Sequence, residues 1–276
     1  MGGIGFHQTN AIVKNVIFSE NGPCYGSAFA SWAGSNVELD HTTVVNNTGS
    51  LPKAAEDNSN ISLINSVVWS NGDRQISLGA GGDPSNPDTL NVSYSNIENG
   101  LDSTVYIYNG PSYGFVISGS GNIDVDPMFV DTANGNYHLL ASSQLINAGH
   151  PDSTDSDGTR ADIGVYPYLN TYSGPTWYIS AAEGNDTTAT GASTAPFKSI
   201  QSAINFATTN GDSVTVAAGT YVENVNFRGR NIKVVGEDRE TTIINGNQAG
   251  SVVTFDNNES STSLLNGFTI LNGAGF

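Results

Sequence analysis

The sequence predicts an all-β solenoid, in which short strands wind into stacked coils and one short α-helix caps a coil near residues 196–208. Three observations carry that reading. Four segments close on a turn glycine: 11–22 (AIVKNVIFSENG), 37–49 (VELDHTTVVNNTG), 61–72 (ISLINSVVWSNG) and 90–100 (LNVSYSNIENG). Their glycines, Gly22, Gly49, Gly72 and Gly100, stand 27, 23 and 28 residues apart. Within each segment, Val-, Ile- and Thr-rich runs alternate with period two and end in Asn-Gly-type turn chemistry. Repeats of that length built from strands rather than helices are the mark of a solenoid.

The alternation predicts the inward face. In 61–72, Ile61, Leu63, Val67 and Trp69 share one face, interrupted by Asn65. Asn15, Asn65 and Asn266 each lie seven residues before a glycine, and His41 joins that column if Thr48 is an insertion. Stacked amides at matched positions can form a hydrogen-bonded ladder.

The second half opens differently. Phe197, Ile200, Ile204 and Phe206 recur at nearly helical spacing, which predicts a short amphipathic helix over 196–208. Short strands resume after it. The boundary is expected in LNTYSGP, giving residues 1–168, a linker at 169–175, and residues 176–276.

Composition narrows the function classes. The 276 residues carry 26 Asp and Glu against 9 Lys and Arg, a net charge of −17. Such a surface disfavours nucleic acid and anionic membranes. No apolar run approaches the ~18 residues that would span a bilayer as a helix. Met1-Gly-Gly-Ile-Gly lacks the pattern of a signal peptide, so an exported chain with this start would be a processed or excised piece. Cys24 is the single cysteine and reads as a small buried residue.

Two longer stretches resemble bacterial secreted right-handed parallel β-helix proteins of the pectin-lyase-like superfold. NIDVDPMFVD through DIGVYPY (122–168) is similar to the closing motif of their β-helix domains. WYISAAEGND through TTIING (177–246), with its capping helix, is similar to their opening. The resemblance implies the right-handed parallel β-helix and an extracellular or cell-surface location. It leaves activity open, because one superfold hosts many functions.

An enzyme of this kind would need particular side chains. Lyases of the superfold set a base beside a cation or calcium, yet only Arg228, Arg230 and Lys233 cluster among the basic residues. The motifs of pectin methylesterases and polygalacturonases are missing, and His7, His41, His138 and His150 stand apart from any base–acid pattern. Calcium has one candidate, Asp152, Asp155, Asp157 and Asp162 around Gly158, where spaced carboxylates and a tight turn resemble an oxygen-rich loop. An Asx-rich turn explains the same residues. Tyr106, Tyr108 and Tyr113 are the nearest aromatic group for a glycan.

The termini supply the leading functional expectation. The last stretch, SLLNGFTILNGAGF, repeats the pattern of the first segment, and joining Gly273 to Gly22 of another copy gives 25 residues between turn glycines. About ten coils at ~4.8 Å make a ~48 Å stack, beyond the ~41 Å reach of a dozen linker residues, so docking between copies is expected over self-closure. The expected interface comprises Ile4, Phe6, Ile12, Asn15, Asn266, Phe268, Ile270 and Phe276. The expected function is therefore a non-catalytic extracellular fibre unit whose partner is another copy. The alternatives are a polysaccharide lyase-like enzyme and a glycan-binding adhesin module.

Overall fold

The computed structural model describes residues 3–22, 27–48, 58–72, 74–79 and 83–275. Cys24, Gly49 and Phe276 lie outside the described residues. Two compact units divide the chain: Met1–Pro127 with Asn147–Pro167, and Met128–Ile146 with Tyr168–Phe276. Residues 128–146 thus group with the C-terminal coils.

The first unit is a three-sided stack of parallel strands. Side A holds β2 (Asn10–Lys14), β5 (Asn36–Asp40), β7 (Asn60–Ile64), β10 (Asp88–Ser93) and β13 (Gly114–Ser118), paired in that order. Side B holds β3 (Ile17–Ser19), β6 (Thr43–Val45), β8 (Val67–Trp69) and β11 (Asn96–Ile97). On side C, β1 (Ile4–His7) pairs with β4 (Phe29–Trp32), and β9 (Ile76–Leu78) with β12 (Val105–Ile107). Val13, Leu39, Leu63 and Val92 align on side A, and Phe18, Val44 and Val68 on side B, to form the buried core.

Backbone conformation makes the corner between sides A and B. Asn15, His41, Asn65 and Tyr94 all take left-handed φ, at 56°, 50°, 51° and 47°. Asn tolerates that region better than most L-residues, which explains its recurrence there. The corner also resets the alternation, correcting the expected inward face. Val68, not Val67, joins the interior column with Phe18 and Val44. Val67 is buried instead beneath Asn147–Pro167, where Gly164 N donates to Asn65 O at 2.8 Å and Val165 N to Thr43 Oγ1 at 3.2 Å.

The amide ladder is real but runs through other columns. Asn21 Nδ2 donates to Asn47 Oδ1 at 2.8 Å, Asn47 to Asn71 at 2.8 Å, and Asn71 to Gln75 Oε1 at 3.0 Å. A second, exposed ladder links Asn60 to Asn36 and Asn36 to Asn10. Asn65 uses its amide differently, donating to Asp40 and accepting from His150 N. Asn266 does not align with Asn15, because left-handed Gly267, φ 82°, occupies the corner position in its coil.

In the second unit, β14 (Phe129–Asp131) and β15 (Asn136–Leu139) form an antiparallel hairpin. Side A stacks β16 (Thr176–Ile179), β17 (Ser213–Val216), β20 (Lys233–Gly236) and β23 (Leu264–Asn266). Side B stacks β18 (Gly219–Val222), β21 (Thr242–Asn245) and β24 (Thr269–Leu271). Side C pairs β19 (Val225–Asn226) with β22 (Val253–Thr254).

The capping helix is present but shorter than expected, covering Ile200–Phe206. Phe197 precedes it in extended backbone, bridged to Ile179, so its apolar ring reaches the core without being helical. All seven helical residues are buried, so the helix has no solvent face. Its polar side chains are satisfied internally: Gln201 exchanges bonds with the Asn226 backbone, and Asn205 donates to the carbonyls of Ala141 and Ser143. Trp177, Phe197 and Phe206 stack beside it at interplanar angles of 11° to 27°.

Candidate functional site

The interior columns show how each stack ends. In the second unit, the side B column runs Tyr221, Ile244, Ile270. Ile244 is fully buried, whereas Ile270 is 48% exposed. On side C, Phe227 is fully buried and its register partner Phe255 is 47% exposed. On side A, Val214 and Val234 are sealed while Leu265, next in register, is half-buried. These last members share the inward columns, and no further described strand lies on them. Among the described residues, β22, β23 and β24 are the terminal strands of their sheets. Leu265, Phe268 and Ile270 line an open hollow of about 580 Å³ there, with Asp238, Arg239 and Glu240 on its border.

The first unit has a corresponding rim at β1, β2 and β3. Ile4 is 37% exposed over Phe29, its sealed neighbour in register. Phe6, Val13 and Phe18 are buried at this rim, and Ala11 is half-buried. Ile12 is 71% exposed because it points outward from β2, so it borders the rim rather than filling the interior. Of the expected interface residues, Ile4, Phe6, Ile12 and Asn15 belong to this rim, and Asn266, Phe268 and Ile270 to the other. Sequence reading missed Phe255 and Leu265. The Val-Val-Thr-Phe run before Asp256 carried the signal, being a third-side strand with two inward apolar positions.

A polar cluster sits at the A–B corner of the first unit. Asp40 accepts from Lys14 Nζ at 2.6 Å and Asn65 Nδ2 at 3.1 Å, and its other close contact is His41 Nδ1 at 2.6 Å. Burial pushes the Asp40 carboxyl up, but the bonds from His41, Lys14 and Asn65 outweigh it and hold the group well below the usual carboxylate range. Lys14, Asp40 and Asn65 stand on three successive coils, so the cluster ties those coils together. The Asp40-His41 dipeptide in the corner column was its sequence signal.

The acidic loop follows in the same unit. Asp155 accepts from Asp162 N at 2.9 Å, Asp157 from Thr159 N and Oγ1, and Asp162 from Asn147 N at 2.7 Å. Asp152 points into solvent near His150. Burial raises the Asp155 carboxyl, and the negative charge of Asp157 adds to that, against the Asp162 N–H bond and the His41 charge. Among the described residues, no three His, Cys, Asp or Glu side chains converge as a metal-binding group. Tyr106 and Tyr108 pack edge to face at 4.8 Å, with the Arg74 guanidinium 3.7 Å from the centre of the Tyr106 ring.

Residues 182–228 match the family described as protein of unknown function (DUF1565), a family associated with β-helix proteins. The chain is a β-helix repeat protein. The matched span covers the capping helix and the first full coil of the second unit, through Arg228. No curated protein and no solved structure matches the chain.

Proposed function

We propose that this β-helix protein is a non-catalytic structural unit of an extracellular fibre, assembled head to tail from copies of itself. The C-terminal coil of one copy sits on the N-terminal coil of the next. The supporting observation is the exposure of inward-pointing residues at two rims: Ile270 and Phe255 on one, Ile4 on the other. A terminal solenoid coil offers unpaired strand edges and an apolar cross-section, both of which favour pairing with another coil. Because the two rims differ, the contact is heterologous and propagates rather than closing.

The bacterial, secreted, pectin-lyase-like right-handed group is the family we place it in, on the closing and opening motifs at 122–168 and 177–246. An acidic chain of net charge −17 suits a soluble surface protein. Sedimentation velocity at rising concentration tests assembly: a growing series of species is expected, and a monomer at every concentration would refute it.

A glycan-binding role is the second reading. An open groove of about 410 Å³ runs over the exposed Asn10–Asn36–Asn60 ladder, lined also by Ile12, Glu38 and Ser62. Amide rows beside an apolar side chain suit polyhydroxylated ligands, and glycan-array binding without turnover would distinguish this role.

A further inference from the structure

We infer that the outward face of side A in the first unit binds an uncharged, linear polysaccharide laid along the coil axis. This rests on the glycan-binding reading above and names the ligand class that the face selects.

The face is built as parallel rows. Along β2, β5, β7, β10 and β13 inward and outward positions alternate, and the register sets the outward ones in line. Asn10, Asn36, Asn60, Thr89 and Phe115 form one row. Ile12, Glu38, Ser62, Asn91 and Ile117 form the next. Strands spaced ~4.8 Å apart extend each row over ~19 Å, which suits a repeating chain better than a compact molecule. Similar contacts recur from coil to coil, so a polymer gains an avidity that a single sugar lacks.

The groups on these rows fit hydroxyls rather than charges. An amide offers two N–H donors and two acceptor lone pairs. Asn36 donates once to Asn10 and accepts once from Asn60, which leaves one donor and one lone pair for a ligand. Among the described residues, no side-chain hydrogen bond engages Ser62, Thr89 or Asn91. At one end of the face Phe115 is 55% exposed, and its ring gives the C–H face of a sugar a flat apolar seat. Exposed Ile117 broadens that seat.

Charge sets the class of chain. Among the described side A positions of this unit the single cation is Lys14, and it is bonded to Asp40 at 2.6 Å. Glu38 stands exposed within the second row. With the net charge of −17, these groups repel carboxylate- and sulfate-bearing chains and leave uncharged ones free to approach.

Native electrophoresis through gels with embedded polymer tests the face. Galactomannan and xyloglucan supply uncharged chains, and polygalacturonate and alginate supply acidic ones. Relative to a polymer-free gel, an uncharged polymer is expected to slow the parent chain, and the acidic polymers to leave it unchanged. Phe115→Ala and Asn36→Asp should each weaken that binding by about tenfold while keeping the parent's melting temperature. Retardation by an acidic polymer would overturn the ligand class and leave glycan binding standing. Retardation by an uncharged polymer that both variants preserve would overturn this face as the site. No retardation in any of the four gels would remove this inference and the glycan reading together, with the head-to-tail reading still judged by sedimentation.

Discussion

Phe227 and Phe255 stack with ring centroids 4.1 Å apart, yet one is sealed and the other is 47% exposed. The two rings stack on successive coils, and they differ because no described strand lies on Phe255. Phe255→Asp would place a carboxylate in the proposed seam. An unpaired buried charge costs about 3 kcal/mol or more, which is more than about a hundredfold in association. We expect assembly to vanish in sedimentation; the melting temperature should also fall, because the ring stacked on Phe227 is lost, whereas Phe255→Leu should keep both an apolar cover and assembly.

Salt should act in the opposite direction from its effect on an attractive ion pair. Copies that each carry a net charge of −17 repel one another. Raising ionic strength screens that repulsion, and should increase the assembled fraction at fixed protein concentration in light scattering. A falling fraction would point to an attractive charged interface instead.

The buried ladder predicts a position-dependent cost. Asn47 donates to Phe18 O, Val45 O and Asn71 Oδ1, and accepts from Asn21. Asn47→Leu removes those side-chain bonds from a buried site, leaving Asn71 Oδ1 only the Asn47 backbone N–H, and should lower unfolding free energy by about 2–4 kcal/mol. Asn10→Ala, at the exposed end of the outer ladder, should change it by less than about 0.5 kcal/mol. Urea unfolding of the two variants checks both values.

Gly267 is required by space as well as by conformation. Its φ is 82°, and a Cβ there would lie 2.4 Å from Gly236 O. Gly267→Ala should therefore destabilise the second unit by about 1–3 kcal/mol, read by thermal unfolding.

Glu223 gives the fold a pH dependence opposite to that of an ordinary surface carboxylate. It accepts from Ile200 N and Gln201 N at the helix start. Burial, with Asp186's charge adding, pushes its pKa from 4.5 up to about 7 despite those two bonds. Between those pH values the folded chain retains a proton that the unfolded chain has released. Glu223 therefore stabilises the fold fully below about 4.5, and that contribution is lost as pH rises towards about 7. Melting curves across this range should show Glu223→Gln with a flatter pH dependence than the parent.

Periodicity made the coils legible, since alternating apolar runs closed by Asn and Gly leave few architectures other than stacked strands. The corner residues were legible only as a column of Asn. That column is conformational, set by left-handed backbone at Asn15 and Asn65, whereas the hydrogen-bonded ladder runs through Asn21, Asn47 and Asn71. Side-chain type cannot distinguish those two uses of an amide. Val67 was misassigned for a related reason: a left-handed corner interrupts period two, and a distant segment buries the outward residue. The Asp40–His41 pair was hidden because its value lies in Lys14 and Asn65 on neighbouring coils.

The central claim, that the two rims cover one another between copies, is tested most directly by negative-stain electron microscopy of the parent chain alongside Phe255→Asp at matched high concentration. Unbranched filaments from the parent and isolated particles from the variant are predicted. Isolated particles from both, or filaments unaffected by the substitution, would contradict the account.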